Sequence, residues 1–191
     1  MAKVLPLYKK DDDTNLNNYR PISLLPVPSK IFDKVVYLQV YEYFNTNKLF
    51  YICQHGFREK HSTENAILEF IDRTMKLLDN DEIPFSVFID LSKAFDMLDY
   101  KILLNKLQFY GFDNISLLWF QNYLTNRQQY VQVYDFTSHL QPICAGVSQG
   151  SILGPLLFII YVNDIHFASN IFKVTMYADD TTLLAPFSVL N

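Results

Sequence analysis

Residues 173–185 read KVTMYADDTTLLA. Runs of β-branched, aromatic and apolar residues, typical of strands, flank the acidic pair Asp179 and Asp180. We therefore predict a tight β-hairpin, with strands over residues 173–178 and 181–185, that presents two carboxylates at its turn. An acidic pair at a turn is most often a solvated loop, so the interpretation depends on what accompanies the hairpin.

A second apolar run that stops at an acid lies upstream. Residues 85–91 read FSVFIDL and follow Pro84, which predicts a buried strand with Asp90 near its end. A charge at the end of a buried strand is costly unless a cation compensates it. If this strand pairs with the hairpin, the three acids can bind divalent cations, since Mg²⁺ prefers oxygen ligands.

The rest of the chain alternates helical and strand patterns, which predicts an α+β fold. Apolar residues recur every three to four positions in the first two helical segments, and Ser62 is placed to cap the second. Helices are predicted over residues 28–44, 62–78, 101–110, 115–124 and 151–167, and strands over residues 4–9, 128–134 and 140–145.

Composition and charge limit the function classes. With 191 residues, half of them hydrophobic, the chain can bury the core of one large or two small domains. The net charge of -4 does not favour a simple nucleic-acid-binding module. However, residues 1–60 carry nine Lys or Arg against six Asp or Glu, and residues 61–191 carry seven against fourteen. A basic arm and an acidic remainder fit a protein that holds phosphates with one part and cations with the other.

Cysteine and histidine provide no metal signature. Cys53 and Cys144 lie far apart without CxxC spacing, and Cys53, His55 and His61 lack a fourth ligand at usable spacing. We therefore predict neither disulfides nor a zinc site.

No segment of the sequence predicts membrane association. The longest apolar run, residues 152–162, contains Gly154 and Pro155 and is too short to span a bilayer. The charged start shows no signal peptide. We expect an intracellular protein, nuclear or cytoplasmic, that is not secreted.

Five sequence segments, which follow one another along the chain in the order of the family's motifs, resemble the reverse transcriptases of non-LTR, LINE-type retrotransposons. FSVFIDLSKAFD (residues 85–96), VSQGSILGPLLFIIYVNDI (147–165) and YADDTTLLA (177–185) are similar to motifs A, B and C. NYRPISLL (18–25) and QHGFREKHSTENAI (54–67) are similar to the fingers motifs. Together they span roughly 170 of the 191 residues.

The resemblance implies a right-hand polymerase, with fingers over residues 1–83 and a palm built on a split βαβ, ferredoxin-like sheet over residues 84–191. The implied activity is RNA-directed DNA polymerase, which adds dNTPs to the 3′-OH of a DNA primer on an RNA template. Two Mg²⁺ ions, replaceable by Mn²⁺, are the implied cofactors.

Carried over to this sequence, the resemblance makes Asp90 and Asp179 the principal metal ligands. Asp180 is the second acid of the turn and a less direct ligand, and the main-chain carbonyl of Leu91 is a further one. Asp96 belongs to the same motif as Asp90 and is expected to brace the turn.

The resemblance also implies nucleotide-binding residues. Phe95 matches the steric gate, whose ring excludes a 2′-hydroxyl by clash; the alternative is a core residue. Gln149 borders the nucleotide pocket, and Gly150 allows close backbone approach.

Two basic residues of the fingers resemble those that bind the incoming triphosphate. Lys30 and Arg58 are the expected phosphate contacts, and Arg20 belongs to the same basic arm.

The resemblance extends beyond this sequence. A complete enzyme of the family continues past the YADD hairpin into a helix, a strand, a primer grip and a helical thumb, and an endonuclease domain is needed for full function. We expect the palm here to be incomplete, with an apolar sheet face uncovered, and the isolated chain to be inactive in RNA-templated synthesis.

Two alternatives stay open at the level of sequence. An RNA-dependent RNA polymerase or another palm-type cyclase would also place acids on paired strands, but an enzyme that uses ribonucleotides would need a small or polar residue at the position of Phe95. A catalytically silent relic would retain the fold and at most bind RNA.

Overall fold

The computed structural model describes residues 1–91 and 93–190, with residues 189 and 190 described by their backbone alone. The described elements are helices and short strands in alternation, as the sequence predicts. The α-helices are α1 (Val27–Thr46), α2 (Thr63–Asp79), α3 (Tyr100–Phe109), α4 (Asn114–Leu124) and α5 (Gly154–Tyr161). The strands are β1 (Ala2–Tyr8), β2 (Tyr19–Leu24), β3 (Pro84–Ile89), β4 (Gln128–Val133), β5 (Phe136–Thr137), β6 (Gln141–Pro142), β7 (Lys173–Tyr177) and β8 (Asp180–Pro186).

The chain divides into two compact units. The first unit comprises Met1–Tyr43 and Phe95–Leu157, and the second comprises Phe44–Ala94 and Phe158–Asn191. Each unit is therefore assembled from two separate stretches of sequence.

The first unit contains a sheet in the order β2-β1-β4-β5, with β6 on β4. Strands β1 and β2 are antiparallel, and β1 and β4 are parallel. Helices α3 and α4 contact each other, and their buried residues are Leu103, Leu107, Phe120 and Leu124. The side chains of Asp99 and Asp113 accept hydrogen bonds from backbone N–H groups in the first turns of α3 and α4, which fixes where these helices begin.

The second unit contains an antiparallel sheet in the order β3-β8-β7, with helix α2 packed on all three strands. Buried Val174 and Met176 of β7 and Leu184 and Ala185 of β8 form part of its core. Ser62 caps α2 by accepting a hydrogen bond from the N–H of Asn65, as the sequence predicts. This sheet carries the three candidate metal ligands.

The predicted helix over residues 151–167 is shorter in the structure. Pro155 lacks an N–H and fits only the first turn of a helix, so α5 begins at Gly154, whose N–H donates to the Ser151 hydroxyl at 3.0 Å. The helix ends at Tyr161, and a short 3₁₀ helix, Ile165–Ala168, follows. Asn163 lies between them, accepting from the N–H of Tyr51 and donating to Leu49 O, both at 2.8 Å.

The apolar residues whose spacing predicts α1 and α2 remain exposed. Residues of α2 contact the sheet through a different face, which includes Phe70 against Phe88 and Arg73 against the carbonyl of Val174. The exposed apolar residues are Ile31, Val35 and Leu38 of α1 and Ile67, Leu68, Ile71, Met75 and Leu78 of α2.

No helix in the described parts of the chain has the length and apolarity needed to cross a membrane.

Candidate active site

The first candidate ligand, Asp90, follows strand β3. The residues of β3 are apolar or β-branched except Ser86, and it pairs along its whole length with β8, from Pro84 opposite Pro186 to Ile89 opposite Thr181. Asp90 follows directly and is exposed. The strand therefore ends where the acid begins, as the sequence predicts. The prediction that this strand is buried is wrong: β3 is the outer strand of its sheet, its residues are half-buried at most, and Phe88 is 72% exposed.

The β7–β8 hairpin carries the second and third candidate ligands, Asp179 and Asp180. Tyr177 pairs with Asp180, so the turn consists of Ala178 and Asp179. We predicted that both acids lie in the turn, and this is wrong for Asp180, which is the first residue of β8. Ala178 takes a left-handed φ of 57°, the backbone conformation that a two-residue hairpin turn requires at its first position.

The sheet order brings these ends together. Because β8 lies between β3 and β7, the end of β3 and the turn of the hairpin lie at the same edge of the sheet. The last β3–β8 pair is Ile89 with Thr181, and the next residues at that edge are Asp90 and Asp180. On β8's other side, Asp180 pairs with Tyr177, one residue before the turn.

The three carboxylates have no protein partners within the described residues. Asp90 and Asp180 are exposed and Asp179 is half-buried, and none of their side chains forms a hydrogen bond or an ion pair there. Carboxylate oxygens are the ligands that Mg²⁺ and Mn²⁺ prefer, so the donor type and the edge position fit such cations. The described residues contain no group of three or more His, Cys, Asp or Glu close enough to hold one ion as they stand. Leu91, whose carbonyl is a predicted ligand, is the last described residue before Ser92.

The first unit contains the predicted steric gate. Phe95 lies in a short 3₁₀ helix, Ala94–Asp96, and is half-buried. Its carbonyl accepts a hydrogen bond from the N–H of Val147 at 2.8 Å, which ties motif A to the start of motif B.

Motif B is anchored at the predicted residues. The Gln149 side chain donates to Asp96 Oδ1 at 3.1 Å, which agrees with a bracing role for Asp96, and the Gln149 carbonyl accepts from the N–H of Ser23 at 2.7 Å. Gly150 has a φ of +117°, and a Cβ there would lie 2.6 Å from the Ser23 carbonyl oxygen. Glycine is therefore required at this position by both conformation and space.

The basic residues differ in their surroundings. Lys30 and Arg20 are exposed, and their side chains make no hydrogen bond or ion pair with described residues. Arg58 is half-buried: its Nη1 donates to the carbonyls of Tyr51 at 3.0 Å and Gln54 at 3.1 Å. Its guanidinium also lies over the Phe50 ring, 5.1 Å from the centroid. Arg58 thus stabilises its own loop, a contact that the sequence did not reveal.

Sequence reasoning missed two buried polar residues. Asp33 of α1 is 1% exposed and accepts hydrogen bonds from Tyr123 OH and from the N–H of Ile152, both at 3.3 Å. Burial raises the pKa of Tyr123 to about 12. Gln54, which is fully buried, contacts the residue before Asp179. Asp33 does not interrupt the apolar pattern that predicts α1, so no signal in the sequence indicated it. For Gln54 the signal was its position in the fingers motif, two residues before Gly56.

Solved structures of other proteins share this fold. It is similar to telomerase from Candida albicans, in complex with a fragment of telomeric RNA, with a TM-score of 0.66 and 13% identity, over 99% of this chain and 37% of that one. It is also similar to telomerase from Candida tropicalis, with a TM-score of 0.61 and 13% identity, over 90% of this chain and 35% of that one. At this level of identity the likeness concerns the fold alone, and it agrees with the mixed α and β fold that the sequence predicts.

The model of the reverse transcriptase (RNA-dependent DNA polymerase) family matches residues 8–188. The chain belongs to the reverse transcriptase family.

Curated relatives confirm the type of reverse transcriptase that the motifs predicted. The chain is 30% identical to the RNA-directed DNA polymerase from mobile element jockey of Drosophila melanogaster, over 96% of this chain and 21% of the relative. It is 30% identical to a probable RNA-directed DNA polymerase from transposon BS, over 100% and 22%, and 32% identical to one from transposon X-element, over 77% and 16%, both also of Drosophila melanogaster. The chain therefore spans about a fifth of the length of these relatives.

Proposed function

We propose that the chain supplies the metal-binding and nucleotide-contacting residues of an RNA-directed DNA polymerase of a non-LTR retrotransposon. The reaction is transfer of a dNTP onto the 3′-OH of a DNA primer, copied from an RNA template. The observation that carries the proposal is the pairing of Ile89 with Thr181 and of Tyr177 with Asp180, which brings three acids to one sheet edge. Membership of the reverse transcriptase family supports the chemistry.

In this proposal Asp90 and Asp179 are the main metal ligands, with Asp180 and the carbonyl of Leu91 as further ones. Bound divalent cations, Mg²⁺ or Mn²⁺, would activate the primer oxygen and stabilise the charge on the leaving pyrophosphate. The carboxylates would hold these cations without competition, because no lysine or arginine of the described residues pairs with them.

In the first unit, Phe95 restricts the sugar of the incoming nucleotide, and Gln149 and Gly150 border its pocket. Exposed Lys30 and Arg20 are available for phosphate oxygens. Arg58 combines a phosphate contact with its bonds to the carbonyls of its own loop.

We also propose that residues 1–83 act as fingers and residues 84–191 as palm. This is a division by function, and each compact unit combines segments of both ranges.

The test is primer extension on an RNA template by a chimera in which this chain replaces the matching segment of the jockey polymerase. The chimera is expected to incorporate dNTPs with Mg²⁺, and Asp90→Asn or Asp179→Asn to reduce incorporation at least about hundredfold, since metal stabilisation contributes several kcal/mol. Asp135→Asn, in the exposed turn between β4 and β5, is the control and should extend normally. No extension by the chimera, or equal extension by all variants, would contradict the proposal.

A further inference from the structure

Cys53 and the first residues of the fingers motif, 54–56, lie along the outer edge of strand β7. Cys53 O accepts a hydrogen bond from the N–H of Met176, and the N–H of His55 donates to Met176 O, both at 2.8 Å. The contact is a parallel β-bridge between Gln54 and Met176. The segment therefore extends the sheet of the second unit just before the catalytic turn.

The Gln54 side chain continues this contact to the turn itself. Its Oε1 accepts from the N–H of Ala178 at 3.0 Å and from the N–H of Gly56 at 2.8 Å, and its Nε2 donates to Ala178 O at 3.3 Å. The side chain is 0% exposed, so water does not compete for these groups. The primary amide offers both an acceptor and a donor, and here it bonds to both polar backbone groups of one residue.

Gly56 closes the contact from the other side. A Cβ on Gly56 would lie 2.1 Å from Ala178 N and 2.7 Å from its Cα, a clash with backbone that cannot move aside cheaply. Ala178 itself has a φ of 57°, which is unfavourable for a residue with a Cβ and which the two-residue turn requires. The contacts of Gln54 and Gly56 hold the backbone of Ala178 in this conformation.

We propose that Gln54 is a positioning residue that fixes the backbone of Ala178 and thereby the direction in which Asp179 projects. Its role in catalysis rests on the proposed polymerase function. Its role in holding the turn does not, and each part has its own measurement.

The first measurement is amide hydrogen exchange of Ala178 in the 191-residue chain, followed by NMR. Gln54→Met keeps the length of the side chain but removes both hydrogen-bonding groups, so exchange at Ala178 is expected to accelerate about tenfold or more. Amides of β3 should change little. Gln108→Met, on the exposed surface of α3, is the matched control and should leave Ala178 unchanged.

A second variant separates local from global effects. Gln54→Glu retains an acceptor for Ala178 N–H and Gly56 N–H but cannot donate to Ala178 O when ionised. Its Ala178 exchange is expected to lie between that of the original chain and that of Gln54→Met. If Gln54→Met unfolds the chain, the exchange rate of Ala178 in Gln54→Glu tests the inference instead. Unchanged exchange at Ala178 in whichever variant is folded overturns the inference.

The second measurement is steady-state kinetics in the jockey chimera. A loosened turn should lower kcat at least about tenfold and raise the Mg²⁺ concentration needed for half-maximal rate, with the KM for dNTP nearly unchanged. A rise in KM alone would overturn the catalytic part. An inactive chimera would refute the proposed function instead, and the exchange rate of Ala178 would then decide whether Gln54 holds the turn.

Discussion

Ile89 of β3 pairs with Thr181 of β8, and this is the last pair before the two segments reach Asp90 and Asp180. The register matters because side chains alternate between the two faces of a sheet. A slip of one residue would turn one of these acids away from the other. The pairing thus decides whether the carboxylates can serve the same cations.

The steric-gate proposal predicts a change of sugar selectivity. In the jockey chimera, Phe95→Ala is expected to raise incorporation of rNTPs relative to dNTPs about tenfold or more, since removing the ring removes the clash with the 2′-hydroxyl. Phe109→Ala, on an exposed residue of α3, is the control. If the ratio of rNTP to dNTP incorporation is the same in both variants, Phe95 is a packing residue.

The Gly150 geometry predicts a loss of stability. Gly150→Ala places a Cβ 2.6 Å from the Ser23 carbonyl and forces an L-residue to a φ of +117°. We expect the free energy of unfolding to fall by about 1–3 kcal/mol, measured by urea denaturation. Lys101→Ala, at an exposed position of α3, should stay within about 0.5 kcal/mol of the original chain. An equally small effect of Gly150→Ala would show that the loop adapts.

The pair His55 and His61 predicts a pH dependence of stability. Their Nδ1 atoms are 3.1 Å apart, and burial, together with Arg58, lowers the pKa of both rings below the usual 6.5. Arg73 also lowers the pKa of His55, whereas Glu69 opposes these effects.

Because the unfolded chain binds protons on these rings at a higher pH than the folded chain, stability should be complete above about pH 6.5 and should fall as the pH drops below it. His61→Asn should flatten this decline, and His139→Asn, on an exposed residue, should not. The measurement is the free energy of unfolding at about pH 7.5, 6.5 and 5.5, which brackets the ordinary histidine pKa. A decline of the same slope in both variants would contradict the assignment.

Arg73 and Lys76 of α2 provide a matched pair for the packing of that helix. Arg73 donates to Val174 O at 3.1 Å and to Cys53 Sγ at 2.9 Å, and pairs with Glu69 at 2.7 Å. Arg73→Met should lower the free energy of unfolding by about 1–3 kcal/mol, because it removes part-buried hydrogen bonds to Val174 O and Cys53 Sγ and breaks the ion pair with Glu69. Lys76→Met breaks only an exposed pair with Asp72 and should cost under about 1 kcal/mol in the same denaturation experiment. Equal effects would place Arg73 among the solvated surface charges.

The local pattern of the sequence was enough to predict much of the fold. Apolar runs that stop at Asp90 and before Asp179 predict strand ends, and Ser62 predicts the start of α2, because caps and strand ends depend on neighbouring residues. Local pattern did not predict the short strand β5, which pairs with β4 across the turn at residues 134–135. It also did not predict the early end of α5, after which Asn163 bonds to the distant residues Tyr51 and Leu49.

Only part of the candidate site could be predicted from the sequence. The acids, Phe95 and Gln149 follow from motifs, but the contact of Gln54 with Ala178 joins residues 124 positions apart, which one sequence does not encode locally. The exposed apolar face of α2 shows a second limit: periodicity predicts a helix without indicating which of its faces meets the sheet.

The most direct test of the account is cleavage of the chain by Fe²⁺ bound in place of Mg²⁺. With ascorbate and peroxide, iron held by Asp90 and Asp179 produces radicals that cut the backbone nearby, and the fragments are sized by mass spectrometry. We predict cuts clustered around residues 90 and 179–180, suppressed by excess Mg²⁺ and weakened in Asp179→Asn. Cuts elsewhere, or cuts that persist in excess Mg²⁺, would contradict a metal site at this edge of the sheet.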